Sequence, residues 1–393
     1  MPKAGFEPAL LAEADFKSAV STISPPGLMV TAPVHIKNIR LYRAKATIMS
    51  EKRWNVVIAG LSHDHIWGEL EHWKNIPDVN IIGVAEVDNR LTSRFSSAFP
   101  DVPVYSSTGE MYQALNGRAN ITQVAAPNAH HASIALEAYA NGCHVITEKP
   151  MASTLTDADR MLAASTHNGL SLMVNWPTAW NPLFQTFHAT IRAGNIGTIH
   201  YIRYRSAHNG PKEIGCDPSF VEWLYDEKLN GAGAFMDYCC YGAAIAAYHL
   251  GLPNEVTGLR GRLAKDYDIC DDNAVVTMKY SHAIAVAEAS WSQVTGYLGG
   301  NPVAYGSTAA VGIERGKVVL LTSKDSLSEI ETKPPTYPFQ NGPQHFIHHL
   351  TTGSPIEGIC NPLVSRNAQA ILQAGLDAAN TGKTMHPVVI SDK

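Results

Sequence analysis

The chain has 393 residues and a formal net charge of -5, with 45% hydrophobic and 17% charged residues. This balance is typical of a folded globular protein, and at roughly 150 residues per domain the length predicts two domains. The acidic excess argues against nucleic acid or a polybasic membrane surface as a partner. No apolar run reaches about 18 residues, so the sequence predicts no membrane-spanning helix.

The cysteines are few and show no spacing of a disulfide framework. Such cysteines indicate reduced thiols and a cytoplasmic protein. The sequence contains neither a CxxC pair nor an HExxH motif, so its spacing predicts no metal site. The six positions are Cys143, Cys216, Cys239, Cys240, Cys270 and Cys360.

Residues 1–53 differ in character from the rest of the chain. They lack the apolar core and cleavage site of a secretory signal. Their later half is basic and would suit an organelle-targeting peptide, but Glu7, Glu13 and Asp15 weaken that interpretation. We predict a poorly ordered extension, and we hypothesise that Met49 is the functional start.

From Trp54 onward, short apolar runs alternate with segments of helical spacing. The runs predict buried strands, and repeated β-α-β units force parallel pairing with right-handed crossovers. We therefore predict a doubly wound Rossmann-type sheet over 54–177, with ligands at the carboxyl ends of its strands. Strands are expected at 55–60, 79–85, 121–126, 144–147 and 170–175, and helices at 65–73, 89–99, 131–140 and 156–166.

The first strand–helix turn reads Gly60-Leu61-Ser62-His63-Asp64-His65. Of the dinucleotide pattern G-x-G-x-x-G only the first glycine is present; Ser62 and His65 stand at the other two positions. A helix N-terminus and the Ser62 hydroxyl would still suit a pyrophosphate. Gly60, Ser62, His63 and His65 are therefore candidate cofactor residues, and a turn without a ligand is the alternative.

The second predicted strand ends at Glu86. A carboxylate there can accept both ribose hydroxyls and repels a 2′-phosphate, which favours NAD over NADP. Arg90 keeps NADP open, because its guanidinium would suit that phosphate.

Four segments together carry a family resemblance. They are Pro127-Asn128-Ala129-His130-His131, Glu148-Lys149-Pro150, Arg192–Gly197 and Gly231–Asp237. At this spacing they resemble the Gfo/Idh/MocA family of nicotinamide-dependent oxidoreductases, over about residues 54 to 387. The resemblance implies that Lys149, the lysine of the E-K-P motif, would reach the nicotinamide ribose and the substrate hydroxyl.

The resemblance implies further roles. Pro127, Asn128, His131 and Glu148 would line the cofactor, and the Lys149–Pro150 bond would be cis. Asp237 would hold a substrate hydroxyl or Lys149.

The sequence departs from the family at Tyr241, where the pattern has a histidine. Asp237 and Tyr241 lie one turn apart and share a helix face. A phenol can accept a proton if the nearby Lys149 ammonium lowers its pKa. The alternatives are that Tyr241 only hydrogen-bonds the substrate while Lys149 handles the proton, or that proton transfer is impaired and the protein only binds.

Residues 178–387 predict an α+β domain for substrate binding and oligomerisation. Successive strands without intervening helices imply an open, mostly antiparallel sheet, closed by a helix over 364–379. In the family such a sheet packs against another subunit, which implies a homodimer or homotetramer.

The expected substrate is a polar ring. Trp176, Trp180 and Trp223 would offer flat apolar faces to sugar C–H groups, each of them also a candidate for the core. Hydrogen bonds would come from three further side chains, Asn175, Arg205 and His208.

Together these features predict an NAD(P)-dependent oxidoreductase. It would move a hydride between nicotinamide and a secondary alcohol or ketone of a sugar, cyclitol or polyol. Two alternatives stay open: a glycosidase or lyase that oxidises its substrate transiently with resident NAD, and a cofactor-binding protein without catalysis.

Overall fold

The computed structural model describes residues 54–390. The predicted extension over 1–53 and the hypothesis about Met49 lie outside that range. Among the described residues, no helix combines the length and the apolar character needed to cross a membrane.

Residues 54–175 form a six-stranded sheet in the order β3-β2-β1-β4-β5-β6, with every pair parallel. Its central strands are almost wholly buried, since helices cover both faces of the sheet. This is the predicted doubly wound sheet. The strands are β1 Trp54–Ala59, β2 Val79–Ala85, β3 Val104–Tyr105, β4 Ile121–Val124, β5 His144–Glu148 and β6 Leu172–Asn175.

Five helices accompany this sheet, and side-chain caps fix the start of three. Asp88, Ser107 and Thr154 each accept a backbone N–H of the first turn that follows, which satisfies a donor that the helix leaves free. The third helix and β3 were not predicted from the sequence, because the strand has only 2 residues and the helix only 8. The helices are α1 Ile66–Lys74, α2 Asn89–Ala98, α3 Thr108–Leu115, α4 His131–Ala140 and α5 Leu155–Asn168.

Residues 199–330 contain the strands of an eight-stranded sheet in the order β14-β13-β12-β11-β7-β10-β9-β8. It is mostly antiparallel, as predicted, but β7 and β10 pair in parallel. The segment 303–314 forms two antiparallel strands, because the chain reverses at Ser307 and Thr308. The strands are β7 Ile199–Ala207, β8 Glu255–Gly261, β9 Asn273–Lys279, β10 Ile284–Ser290, β11 Val303–Gly306, β12 Ala310–Glu314, β13 Lys317–Ser323 and β14 Ser326–Ile330.

Seven further helices complete the described chain, and the longest two, α10 and α12, pack on the large sheet. Gly242 lets α10 approach closely, since a Cβ there would lie 2.5 Å from the Cβ of Ala287 on β10. The bounds are α6 Pro182–Arg192, α7 Pro211–Ile214, α8 Pro218–Tyr225, α9 Glu227–Asn230, α10 Ala234–Leu250, α11 Gly342–Thr352 and α12 Pro362–Thr381.

Candidate active site

The turn after β1 passes very close to the end of β4. Gly60 has a φ of +86°, and a Cβ added there would lie 2.9 Å from the Cα of Ala126. Only glycine meets both demands without strain. The His63 N–H donates to the Ala125 carbonyl at 3.1 Å, which fastens the turn to the neighbouring strand end.

Glu86 lies at the mouth of a crevice above this turn. Its carboxylate accepts the Leu61 and Val87 N–H groups, each at 2.7 Å. The crevice has a volume of about 440 Å³, and Gly60, Ser62, Glu86 and Pro127 line it. A bare glycine, a hydroxyl and a ribose-accepting carboxylate at one sheet edge fit the phosphate and sugar of a dinucleotide.

Arg90 is engaged elsewhere. Its guanidinium donates to Asp88 at 3.1 Å and to the Ser219 hydroxyl at 2.6 Å. The Ser219 hydroxyl, followed by the Arg90 N–H, lowers the pKa of Asp88 to about 2. This cluster ties α2 to α8, so Arg90 does not line the crevice as the structure stands.

Lys149 follows β5 directly, and its bond to Pro150 is cis, as the resemblance implies. The side chain is 3% exposed, so the amine does not face bulk solvent. Its Nζ lies 2.7 Å from Asp237 Oδ1. Trp291 donates its indole N–H to the other carboxylate oxygen at 3.3 Å. A strand end of one sheet and a helix of the other thus meet at this ion pair.

Tyr241 lies beneath the Lys149 ammonium, which is 4.9 Å from the centre of its ring. Burial raises the pKa of Tyr241 well above its ordinary value and outweighs the opposing effect of Lys149. The lowered pKa that the sequence analysis considered for this phenol is therefore wrong. For Lys149, burial disfavours the ammonium, but Asp237 and then Tyr241 favour it more strongly, so the net pKa is raised. Both groups are therefore protonated near neutral pH.

A second buried network lies beside this pair. Glu148 is wholly buried and approaches His65 Nδ1 at 3.0 Å and His63 Nε2 at 4.0 Å. Asn175 donates to its other oxygen at 3.3 Å. Burial, followed by the charges of His65 and Lys149, lowers the pKa of His63 well below its ordinary value.

Two residues predicted to line the cofactor serve the turn after β4 instead. The ring nitrogens of His131 face the carbonyls of Ala126 at 3.1 Å and Met151 at 3.3 Å, so neither is free for a ligand. Asn128 is buried and donates to Asn230 at 2.8 Å. Pro127 does line the crevice.

The three tryptophans occupy different environments. Trp176 is 1% exposed and packs edge-on against Tyr241, which makes it core rather than a sugar platform. Trp223 is also buried, and its N–H donates to the Ser62 carbonyl at 3.2 Å. Trp180 is partly exposed and donates to Asn175 at 2.8 Å.

Of the last two residues predicted to bind the substrate, His208 lies near Lys149 and Arg205 does not. Arg205 alternates along β7 with Tyr204, whose ring faces Tyr241 on α10, so Arg205 lies on the opposite face of the sheet. Its Nε donates to Gln293 at 2.8 Å, and the structure does not bring it to Lys149. His208 lies within reach of the charges of Asp237 and Lys149, and its ring centre is 5.0 Å from that of Tyr238.

Sequence reasoning missed three residues that hold the site together: Trp291, Asn230 and Phe220. Trp291 supports Asp237, Asn230 supports Asn128, and Phe220 packs on His63 at 5.0 Å. Each is distant in sequence from its partner, and no local motif marks it.

Two family descriptions match consecutive parts of this chain. "Oxidoreductase family, NAD-binding Rossmann fold" matches residues 54–176, and "GFO/IDH/MocA C-terminal domain" matches residues 184–319. Together they cover more than half of the sequence. The chain belongs to the Gfo/Idh/MocA family. Its first sheet is therefore an NAD-binding Rossmann domain, and the resemblance read from the sequence is confirmed.

Curated relatives of this family member are distant and match in part. A D-apiose dehydrogenase from Paraburkholderia graminis is 29% identical over 41% of this chain and 43% of its own. A scyllo-inositol 2-dehydrogenase (NADP(+)) from Bacillus subtilis is 26% identical over 48% of this chain and 56% of its own. The chain thus spans about half the length of the curated relatives it matches.

Solved structures match over more of the chain. An oxidoreductase from Agrobacterium radiobacter, in complex with NAD+, L-tartaric acid and magnesium, gives a TM-score of 0.70 at 18% identity, over 85% of this chain and 98% of that one. The WlbA dehydrogenase from Bordetella pertussis, in complex with NADH and UDP-GlcNAcA, gives a TM-score of 0.69 at 19% identity. The match covers 86% of this chain and 100% of that one. At these identities the likeness shows the fold alone.

Proposed function

We propose that this chain is an NAD(P)-dependent dehydrogenase or reductase that acts on a CH–OH group of a sugar, cyclitol or related polyol. The observation that carries the proposal is the buried ammonium of Lys149. It lies at the carboxyl end of β5, where a doubly wound sheet binds its ligands, and is paired with Asp237 at 2.7 Å. The sugar and cyclitol dehydrogenases among the relatives support the substrate class.

In this proposal one group of residues binds the cofactor and another acts on the substrate. Gly60 admits the backbone to the cofactor's phosphates, and Glu86 accepts its ribose hydroxyls. Nicotinamide, when bound, supplies the carbon that accepts or gives the hydride. Lys149 and Tyr241 are both proton donors at neutral pH, so they polarise a substrate carbonyl and deliver a proton to its oxygen. Asp237 holds Lys149 in place.

This protonation state favours reduction of a ketone over oxidation of an alcohol near pH 7. Oxidation needs a base, and Lys149 or Tyr241 provides one only after losing its proton. Tyr241 therefore serves as a donor in our proposal and not as the phenolate first considered.

The experiment is a substrate panel that is read by the absorbance of NAD(P)H. Sugars, polyols and cyclitols are offered with NAD or NADP, and the corresponding ketoses with NADH or NADPH. We expect net turnover with at least one pair and preference for the NAD couple. Bound cofactor that co-purifies and cycles without net NADH would instead favour the glycosidase or lyase, and cofactor binding without turnover of any substrate would favour the non-catalytic protein.

Two further expectations from the sequence remain proposals. We propose a homodimer or homotetramer through the large sheet, whose strands carry partly exposed apolar side chains at Ile284, Tyr305 and Leu327. Light scattering coupled to size exclusion tests this, and a monomer would contradict it. We also propose a cytoplasmic location, which the six free cysteines support.

A further inference from the structure

Three side chains of the metal-ligand type converge above the ends of β1 and β5. Glu148 Oε2 lies 3.0 Å from His65 Nδ1 and 4.0 Å from His63 Nε2. The three ligand atoms all lie within 4.8 Å of one another. A tetrahedral zinc ion with bonds of about 2.0–2.1 Å separates its ligand atoms by roughly 3.4 Å. The distances from Glu148 Oε2 to the two histidine nitrogens, 3.0 and 4.0 Å, lie just below and just above that separation.

The chemistry of these three side chains suits a cation. Glu148 is wholly buried, and its ion-pair partners among residues 54–390 are two imidazoles. Lys149 is next to it in the chain, but its ammonium is directed to Asp237. A buried carboxylate is costly unless a cation or several donors compensate it. We propose that His63, His65 and Glu148 bind a divalent cation of the zinc type.

The surroundings hold the three ligands in place. Asn175 donates to the second oxygen of Glu148 at 3.3 Å, and Trp180 in turn donates to Asn175 at 2.8 Å. Hydrogen bonds of this outer kind orient a ligating carboxylate. The ring of His63 lies against Phe220 and Trp223, at 5.0 and 5.8 Å between ring centres. Only His65 remains partly exposed.

The ligand types select the ion. Two imidazoles and one carboxylate suit Zn²⁺ or Co²⁺, whereas Mg²⁺ and Ca²⁺ prefer oxygen ligands throughout. Three protein ligands leave a coordination position for water or a substrate oxygen. The spacing rules applied to the sequence could not find this site, because the third ligand lies 83 residues after the second.

The site is tested by titrating the full chain, without a polyhistidine tag and after chelation, with ZnCl₂ in a calorimeter. We expect one ion per chain for the wild type. The variants H65A and E148Q should weaken Zn²⁺ binding by at least about 100-fold, since each removes one of three ligands. MgCl₂ in place of ZnCl₂ should give no comparable binding. With CoCl₂ the wild type should develop visible absorption bands that H65A lacks.

The matched control is His72→Ala. His72 lies on α1 and faces one carboxylate, Glu69, at 3.6 Å, and among residues 54–390 it belongs to no group of three metal-ligand side chains. It should bind Zn²⁺ as the wild type does. Wild-type chain that takes up no Zn²⁺, or H65A and E148Q chains that bind it as tightly as H72A, would overturn the site. H65A keeps the test valid if E148Q does not fold. Because NAD and substrate are absent from the titration, its result is independent of the proposed dehydrogenase activity.

Discussion

Lys149 Nζ and Asp237 Oδ1 lie 2.7 Å apart in a part of the molecule where both side chains are almost wholly buried. Lys149 follows a strand of the parallel sheet, and Asp237 lies in the first turn of a helix that packs on the large sheet. A buried pair of this kind is costly to break, because the remaining charge loses its counter-ion.

The change Lys149→Met should therefore abolish turnover while leaving the cofactor crevice intact. We expect turnover to fall by at least about 100-fold, the scale of a positioned proton donor, and NAD affinity to change little, since Gly60 and Glu86 are untouched. Steady-state rates and the quenching of tryptophan fluorescence by NAD measure the two. Lys279→Met, at an exposed ion pair with Glu255, is the control. Near-normal turnover in K149M would remove Lys149 from the mechanism.

The raised pKa values of Lys149 and Tyr241 predict a pH dependence. Alcohol oxidation by the wild type should rise steadily from pH 7 to pH 9, because the base form of either group is scarce below its pKa. Ketone reduction should stay nearly flat over the same range, because both donors remain protonated. The variant Tyr241→His places an imidazole, with an ordinary pKa near 6.5, at this position. Its oxidation rate should be flatter with pH; a profile as steep as that of the wild type would contradict the assignment of Tyr241.

Glu86 should control the preference between the two nicotinamide cofactors. Its carboxylate lines the crevice and is held by the Leu61 N–H, so Glu86→Gln removes the negative charge with little change of shape. We expect kcat/KM with NADP to improve relative to NAD by at least about 10-fold, or ~1.4 kcal/mol. Glu71→Gln is the control, because that carboxylate lies on α1, faces Lys74 at 3.9 Å and does not line the crevice. An unchanged ratio in E86Q would place the ribose elsewhere.

A comparison of alanine substitutions at Gly60 and Gly142 distinguishes the cost of a left-handed backbone from the cost of a steric clash. Gly60 and Gly142 both have positive φ, at +86° and +74°, but a Cβ meets Ala126 at the first and nothing within 4 Å at the second. Gly142→Ala should cost about 1–2 kcal/mol for the left-handed backbone. Gly60→Ala should cost about 1–3 kcal/mol more. Urea unfolding of the two variants measures the difference in their free energies of unfolding. Equal losses of stability would show that the turn at Gly60 shifts to accommodate the added methyl group.

The lowered pKa of the buried His188 predicts that the folded protein loses stability in acid. Burial lowers its pKa from 6.5 to about 4 in the folded protein. Below pH 6.5 the unfolded chain therefore takes up a proton that the folded protein refuses, and stability falls as the pH drops toward 4. This contribution amounts to about 3 kcal/mol over the full window. The free energy of unfolding of His188→Gln should decline less steeply with falling pH than that of the wild type, and parallel curves would contradict the prediction.

The sequence predicts the architecture well because the main strands are continuous apolar runs and the main helices are periodic. It also places Lys149, Asp237 and Tyr241, since they stand in motifs. It fails for Arg205 and Trp176, because composition marks a residue as polar or aromatic but does not tell which face of a sheet it occupies. The pKa of Tyr241 could not be predicted either, since it depends on how completely the surrounding chain excludes water.

Helix α8 is fastened to two separate turns of the nucleotide domain, through Trp223 on the Ser62 carbonyl and through Ser219 on Asp88. A chimera that took residues 184–319 from a distant relative would bring a foreign α8 to both turns at once. Exchange of substrate specificity within this family is therefore expected to succeed only if 217–225 travels together with the turns at 60–65 and 86–90.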